Sequence, residues 1–127
     1  MRHPTQPANI LIVDDTLENL QLLSNILKEA GYKVRPASTG KLALKAVEHQ
    51  LPDLILLDIK MPEMDGYEVC RILKSQHTTK DIPVLFISAL SDIEDKLKAF
   101  QVGGLDYISK PFQFEEVKAR VSTHVQL

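Results

Sequence analysis

The chain has 127 residues, of which 44% are hydrophobic and 25% charged, and its formal net charge is −2. These values are typical of one globular domain, and the balanced charge without a basic block argues against direct nucleic-acid binding. The single Cys70 excludes an internal disulfide and a Cys-based zinc site, and no apolar run approaches the roughly 20 residues of a membrane span. We therefore expect a cytoplasmic protein, not bound to membrane or nucleic acid, with a buried and unreactive Cys70.

Five short apolar runs alternate with five amphipathic stretches after a polar opening. Residues 1–8 lack the apolar core of a signal peptide and are predicted to form a flexible tail, which leaves 9–127 as a single domain. The apolar runs lie at 9–13, 33–36, 53–58, 83–87 and 106–109. This alternation is typical of a parallel sheet covered by helices on both faces. Right-handed crossovers then favour a flavodoxin-like, doubly wound α/β fold with strand order 2-1-3-4-5 and five helices.

Each amphipathic stretch carries apolar residues three or four positions apart, as a helix with one buried face requires. For the first helix these are Leu17, Leu20, Leu23, Leu27 and Ala30, and for the second Leu42, Ala43, Ala46 and Val47. The third helix, about 66–76, buries Val69, Ile72 and Leu73 and carries Glu68, Arg71 and Lys74 on its other side. The fifth carries Phe114, Val117, Val121 and Val125.

Local residues also predict where the helices begin and end. Gly31 ends the first helix, and Ser38 or Thr39 caps the second. The segment Ser91-Asp92-Ile93-Glu94 is a capping box that opens the fourth helix, which Gly103-Gly104 closes. The fifth helix is still periodic at Leu127, so we expect the domain to be a piece of a longer multidomain protein.

Charged and polar residues follow four of the five predicted strands. Asp14 and Asp15 follow the first, Asp58 ends the third, Ser88 follows the fourth and Lys110 follows the fifth. The carboxyl ends of parallel strands share one edge, and the first and third strands are neighbours in the predicted order. The three acids should therefore meet in one crevice. Clustered carboxylates repel one another unless a cation is present, and carboxylate oxygens without His or Cys suit Mg²⁺.

Asp58 stands alone at the centre of this edge and is the candidate nucleophile. An aspartate carboxylate can attack phosphorus when the charge on the phosphoryl oxygens is neutralised, here by Mg²⁺, Lys110 and the Ser88 hydroxyl. The adjacent pair, Asp14 and Asp15, is better placed to hold the metal.

Structural roles are the alternative for these and other polar residues. An acid after a strand is often a solvated turn residue, and Asp15 could cap the first helix with Glu18 as its partner. Asp58 and Lys110 at matching strand ends favour the functional interpretation. The histidines show no ligand spacing and are predicted to be surface residues: His3, His49, His77 and His124.

Four motifs, in order along the chain, resemble those of the response-regulator receiver domains of two-component signalling. They are Ile12-Val13-Asp14-Asp15, Leu57-Asp58-Ile59-Lys60-Met61-Pro62-Glu63-Met64-Asp65-Gly66, Ile87-Ser88-Ala89, and Asp106-Tyr107-Ile108-Ser109-Lys110-Pro111-Phe112. The resemblance extends from residue 9 to about 125. It implies a phosphorylation-operated switch, not an enzyme, that assists only its own phosphorylation and dephosphorylation.

The resemblance further implies that Asp58 receives a phosphoryl group from a sensor histidine kinase or a phosphotransfer protein. Asp15 and Asp58 would bind Mg²⁺ directly, and the Lys60 backbone carbonyl would be a further ligand. Asp14 would act mostly through water.

The remaining motif residues are implied to couple the site to a surface. Ser88 and Lys110 would contact the phosphoryl oxygens, and Tyr107 would be an aromatic switch that turns inward when Ser88 moves. The Lys110-Pro111 bond resembles the family's cis peptide. The surface of helix four, strand five and helix five would then change its affinity for a downstream output domain or protein, or form a homodimer.

Two other functions are consistent with parts of the pattern. A phosphate-independent interaction module of the same fold would lack an acid or the lysine, and none is missing. A haloacid-dehalogenase-like phosphatase also forms an aspartyl phosphate with Mg²⁺, but it uses Asp-x-Asp after its first strand. In this chain the two acids after the first strand are adjacent.

Overall fold

Five parallel strands and five helices alternate along the chain in the computed structural model, which describes residues 6–89 and 93–125. Their bounds are β1 (Asn9–Val13), α1 (Leu17–Glu29), β2 (Lys33–Ala37), α2 (Gly40–His49), β3 (Leu54–Asp58), α3 (Gly66–Lys74), β4 (Val84–Ser88), α4 (Ile93–Gln101), β5 (Asp106–Ser109) and α5 (Phe114–Val125). The sheet order is β2-β1-β3-β4-β5 with every pair parallel. The predicted α/β fold and strand order are confirmed, and the predicted runs match the strands to within one residue at each end.

The three inner strands are buried at every position, which explains their nearly continuous aliphatic sequences. Side chains alternate between the two faces of the sheet. Leu11 and Val13 pack with residues of α2, α3 and α4, whereas Ile10 and Ile12 pack with residues of α1 and α5. The sheet therefore lies between a layer of three helices and a layer of two.

Four residues predicted to lie on buried helical stripes are exposed, three at the starts of helices and Ala30 at the C-cap of α1. Leu17, Leu42 and Phe114 have exposed fractions of 69%, 48% and 41%, whereas Leu20, Leu23 and Val117 deeper in the same helices are buried. Each of the first three lies in the first turn of its helix. The apolar pattern therefore overestimates burial at the helix ends.

Helix ends agree with the predicted signals in three places. Gly31 follows the C-cap Ala30 of α1 with a φ of +96°, as predicted. Thr39 rather than Ser38 caps α2, because its Oγ1 accepts the Leu42 N–H at 3.0 Å. Gly103 and Gly104 follow the end of α4 as predicted. The predicted capping box begins with Ser91 and Asp92, which lie outside the described residues.

The structure excludes one alternative and corrects one prediction about the helices. Asp15 does not cap α1, because the N-cap is Thr16, which makes no side-chain cap bond. Lys74 is not a solvated residue on the outer side of α3; its Nζ donates to the carbonyls of Lys80 at 3.0 Å and Ile82 at 2.6 Å. Lys74 therefore holds the α3–β4 connection against α3. The helix ends at Lys74 rather than at residue 76.

Cys70 is fully buried, as predicted, with its Sγ 3.4 Å from the Val102 carbonyl oxygen. Burial raises the pKa of this thiol to about 11, so it is protonated and unreactive at neutral pH. Within residues 6–89 and 93–125, none of the helices has the length and apolar character needed to cross a membrane.

Candidate functional site

Three aspartates meet at the point where the chain order of the sheet reverses. β1 pairs with β3 through Val13 and Leu57, so Asp14 and Asp58 follow these residues side by side at the carboxyl edge. Asp14, Asp15 and Asp58 each offer a carboxylate oxygen within 4.8 Å of the others. Asp14 and Asp58 are buried and Asp15 is exposed. The juxtaposition expected from the strand ends is therefore present.

Lys110 closes the crevice from the end of β5. Its Nζ lies 3.5 Å from Asp58 Oδ1 and 3.8 Å from Asp14 Oδ2. Its backbone N–H donates to the Ser88 carbonyl at 2.9 Å, and the Lys110-Pro111 peptide is cis, as the resemblance implied. The backbone position of Lys110 therefore keeps its ammonium group close to Asp58 and Asp14.

The electrostatics of the crevice favour a bound cation. Burial first, and then the neighbouring charge of Asp14, raise the pKa of Asp58 to about 7 against a partial lowering by Lys110. Asp15 adds a smaller effect in the raising direction. The available donors are carboxylate oxygens, which are the ligands of hard divalent ions. The donor set fits a metal ion that would relieve the repulsion among the three acids.

The loop after β3 packs closely against the backbone of the acidic strand. Gly66 donates its N–H to the Ile59 carbonyl at 2.9 Å, and a Cβ at this position would overlap the carbonyl oxygen of Asp58. Lys60, two residues beyond Asp58, has an exposed side chain and lines a cavity of about 510 Å³ with Met61 and neighbouring residues. The start of α3 is therefore fixed by its contact with β3.

Ser88 lies at the carboxyl edge of the sheet, whereas Tyr107 packs against α4. Ser88 is buried at the carboxyl end of β4, and its Oγ makes no hydrogen bond within the described chain. The Tyr107 ring lies edge-on to Phe100 at 6.2 Å and 4.4 Å from Lys96 Nζ, both on α4. Tyr107 thus belongs to the surface formed by α4, β5 and α5.

Asn19 contacts the acidic crevice but was missed from the sequence. Its side-chain Nδ2 lies 3.2 Å from Asp14 Oδ2 and 3.4 Å from Asp14 Oδ1. An amide in the first helical turn after a pair of acids is the signal that could have indicated this contact. Such a spacing alone does not show where the side chain points.

The prediction that all four histidines are surface residues is wrong for His124. His49 and His77 are exposed, and His3 lies outside the described residues. The His124 side chain is only 15% exposed, and its Nε2 lies 2.9 Å from Asp106 Oδ2. The repeat of α5 places His124 one turn beyond Arg120, which also binds Asp106, at 2.8 Å. Asp106 thereby joins β5 to α5 next to Tyr107.

Asp106→Asn should destabilise the protein by about 1–2 kcal/mol at pH 7, because hydrogen bonds to a charged group are lost. Burial alone would raise the pKa of Asp106, but hydrogen bonds from His124, the Tyr107 N–H and Arg120 together hold it below the usual value. The stability from this carboxylate is present above its unfolded pKa and is lost as pH falls through the lower folded pKa. Urea unfolding of the wild type and of Asp106→Asn at pH 7 and pH 3 measures this difference in stability.

The control for that variant is Asp81→Asn at an exposed acid, which should change stability by less than about 0.5 kcal/mol. A loss for Asp106→Asn that is as large at pH 3 as at pH 7 would contradict the proposed role of its charge.

The fold and the crevice define a doubly wound α/β domain with an acidic cluster at its switch point. Residues 10–122 match the family model of the response regulator receiver domain, and the chain belongs to this family. It is 47% identical over 113 residues to the DNA-binding dual master transcriptional regulator RpaA of Synechocystis, covering 88% of this chain and 46% of RpaA. Response regulator PleD of Caulobacter vibrioides is 43% identical over 114 residues, covering 90% of this chain and 25% of PleD.

A solved structure described as a response regulator from Chloroflexus aurantiacus superposes with a TM-score of 0.94 at 36% identity, covering 96% of this chain and all of that chain. The chain spans between about a quarter and a half of the length of the curated relatives it matches, from 25% to 47%. The domain is thus a receiver domain of two-component signalling, the family of switches that work with histidine kinases and output domains.

Proposed function

We propose that Asp58 is the phosphoacceptor of this receiver domain. A carboxylate oxygen of Asp58 attacks the phosphorus of a phosphohistidine on a sensor kinase or phosphotransfer protein. The new O–P bond forms as the P–N bond breaks, and the imidazole leaves. The observation that carries the proposal is the grouping of Asp58 with Asp14, Asp15 and Lys110 in one crevice.

The acids around Asp58 are proposed to hold Mg²⁺. Asp15 and Asp58 bind it directly, the Lys60 backbone carbonyl is a further ligand, and Asp14 acts through water. When bound, the ion neutralises charge on the transferring phosphoryl oxygens. Support comes from the three carboxylates, whose oxygens lie within 4.8 Å of one another. The pKa of Asp58, which burial and then the charge of Asp14 raise, also favours a cation at this site.

Lys110 and Ser88 are proposed to bind the phosphoryl oxygens. Lys110 Nζ is already 3.5 Å from Asp58. The buried Ser88 hydroxyl makes no hydrogen bond in the described chain, so an added phosphoryl oxygen would satisfy it. Because the Lys110 N–H donates to the Ser88 carbonyl, a shift at Ser88 is transmitted to β5.

Tyr107 carries this shift to the surface of α4, β5 and α5. The centre of its ring lies 4.4 Å from Lys96 Nζ and 5.7 Å from Arg120 Cζ. We propose that the ring turns inward when Ser88 moves, which alters this surface for an output domain, another protein or a second receiver domain. The phosphoryl group adds roughly −1.5 to −2 charge, which is the source of the free energy for the shift.

The domain is proposed to be one module of a longer cytoplasmic signalling protein, with a tail that ends before Ala8, since Ala8 is buried in the core and its carbonyl accepts the Lys33 N–H at 2.9 Å. The partial coverage of the relatives supports a module. A phosphate-independent interaction module remains the second candidate, but no observation favours it, because the acids, the hydroxyl and the lysine are all present.

Mg²⁺-dependent labelling by a small phosphodonor such as acetyl phosphate tests the proposal. The wild-type chain should accumulate one acid-stable, base-labile phosphate, and EDTA or Asp58→Asn should abolish it. Asp81→Asn, at an exposed acid, is the matched control and should label normally. Labelling that persists in Asp58→Asn would reject Asp58 as the acceptor, and continuous release of phosphate would indicate a phosphatase instead.

A further inference from the structure

The side-chain amide of Asn19 is directed at an acid of the crevice rather than at the helix backbone. Asn19 is the third residue of α1, where a side chain commonly accepts the N–H of the N-cap residue. Here the N-cap residue is Thr16, and its N–H donates instead to Asp14 Oδ1 at 2.9 Å. The amide Nδ2 of Asn19 donates to the same carboxylate, at 3.2 Å from Oδ2.

Other neighbours of Asp14 do not fix its orientation. Lys110 Nζ is 3.8 Å from Asp14 Oδ2, too far for a hydrogen bond, and it is nearer to Asp58. Asp15 and Asp58 repel Asp14 in the absence of a cation. Among the described residues, the two groups that donate hydrogen bonds to this carboxylate are therefore the Thr16 N–H and the Asn19 amide.

We infer that Asn19 is a positioning residue for the metal site, one that holds the buried Asp14 carboxylate in the orientation that Mg²⁺ binding requires. The inference rests on the proposed function, because it takes the three acids to be the Mg²⁺ site. Removing an outer-shell hydrogen bond that orients a metal site typically lowers metal affinity 10–100-fold. Asn19 matters most when Lys110 moves toward a phosphoryl group, since Asp14 then loses the nearby positive charge and only its two hydrogen bonds hold it.

Isothermal titration of Mg²⁺ into the whole chain tests this inference. Asn19→Ala, and Asn19→Leu as a variant of similar size without an amide, should bind Mg²⁺ roughly 10-fold or more weakly than wild type. Asn25→Ala is the matched control, because Asn25 is an exposed asparagine of the same helix, and its affinity should stay within about twofold. A purely structural role for Asn19 predicts a lower metal-free stability in urea with an unchanged Mg²⁺ affinity.

A double-mutant cycle identifies the residue through which Asn19 acts. In an Asp14→Ala background, Asn19→Ala should cause no further loss of affinity. An equal loss in both backgrounds, or an Asn19→Ala protein that binds Mg²⁺ as wild type does, would overturn the inference alone. A wild-type chain that binds no Mg²⁺ would overturn the proposed metal site together with it.

Discussion

Asp58→Asn should raise the free energy of unfolding of the metal-free protein by on the order of 4 kcal/mol at pH 8. The pKa of Asp58 is raised from 3.8 to about 7, first by burial and then by the charge of Asp14. At pH 8 the native state must hold a charged carboxylate that the site disfavours. The amide of asparagine has nearly the same shape and carries no charge.

The sign follows from the protons bound in each state. Between about pH 4 and pH 7 the native Asp58 keeps its proton while the unfolded chain has lost it, so stability falls as pH rises through this range. The contribution is fully present below the unfolded pKa and is lost above the folded one. The increase in the free energy of unfolding caused by Asp58→Asn should therefore grow with pH. It should be less than half as large at pH 5 as at pH 8.

Urea unfolding in EDTA from pH 5 to pH 8 measures this difference, with Asp81→Asn as the control at an exposed acid. Adding Mg²⁺ should narrow the gap at pH 8, because a ligand of the native state stabilises the wild type. An Asp58→Asn protein whose advantage is constant across the pH range would show that the charge of Asp58 is not the cause.

Gly66→Ala should cost about 3–5 kcal/mol of stability, at or above the upper end of the usual range for overpacking. The new Cβ would overlap the carbonyl oxygen of Asp58 and approach the Cα of Ile59 to 3.0 Å. Both are backbone atoms of the strand end, so no flexible side chain can yield. The start of α3 must move away, which breaks the hydrogen bond from Gly66 to Ile59.

Gly31→Ala is the control for this substitution. No heavy atom lies within 4 Å of a Cβ at Gly31, but its φ of +96° strains a non-glycine residue, so a loss of about 1–2 kcal/mol is expected. Urea unfolding compares the two variants, and Mg²⁺ affinity reports whether Asp58 has shifted. A Gly66→Ala protein no less stable than Gly31→Ala would contradict the close contact.

Much of the crevice was predictable because strand ends are visible in the sequence. The residues from Leu54 to Leu57 are all apolar, which indicates a strand buried on both faces of the sheet. The end of that strand gives the position of Asp58. The same reasoning placed Asp14, Asp15 and Lys110 at one edge. The contacts of Asn19 and His124 were not predictable. Each binds a carboxylate through a polar side chain whose direction depends on packing, and hydrophobic periodicity gives no information on that direction.

The parallel fold, the strand order and the meeting of three acids with a lysine could all be predicted from the amino-acid sequence. These follow from hydrophobic periodicity and from the common edge of parallel strands, which are properties of short segments and of sheet geometry. Three features are visible only in the folded protein: the raised pKa of Asp58, the contact of Gly66 with β3 and the bond from Asn19 to Asp14. These depend on burial and on distances of a few ångströms between separate segments, which packing sets and local patterns do not encode.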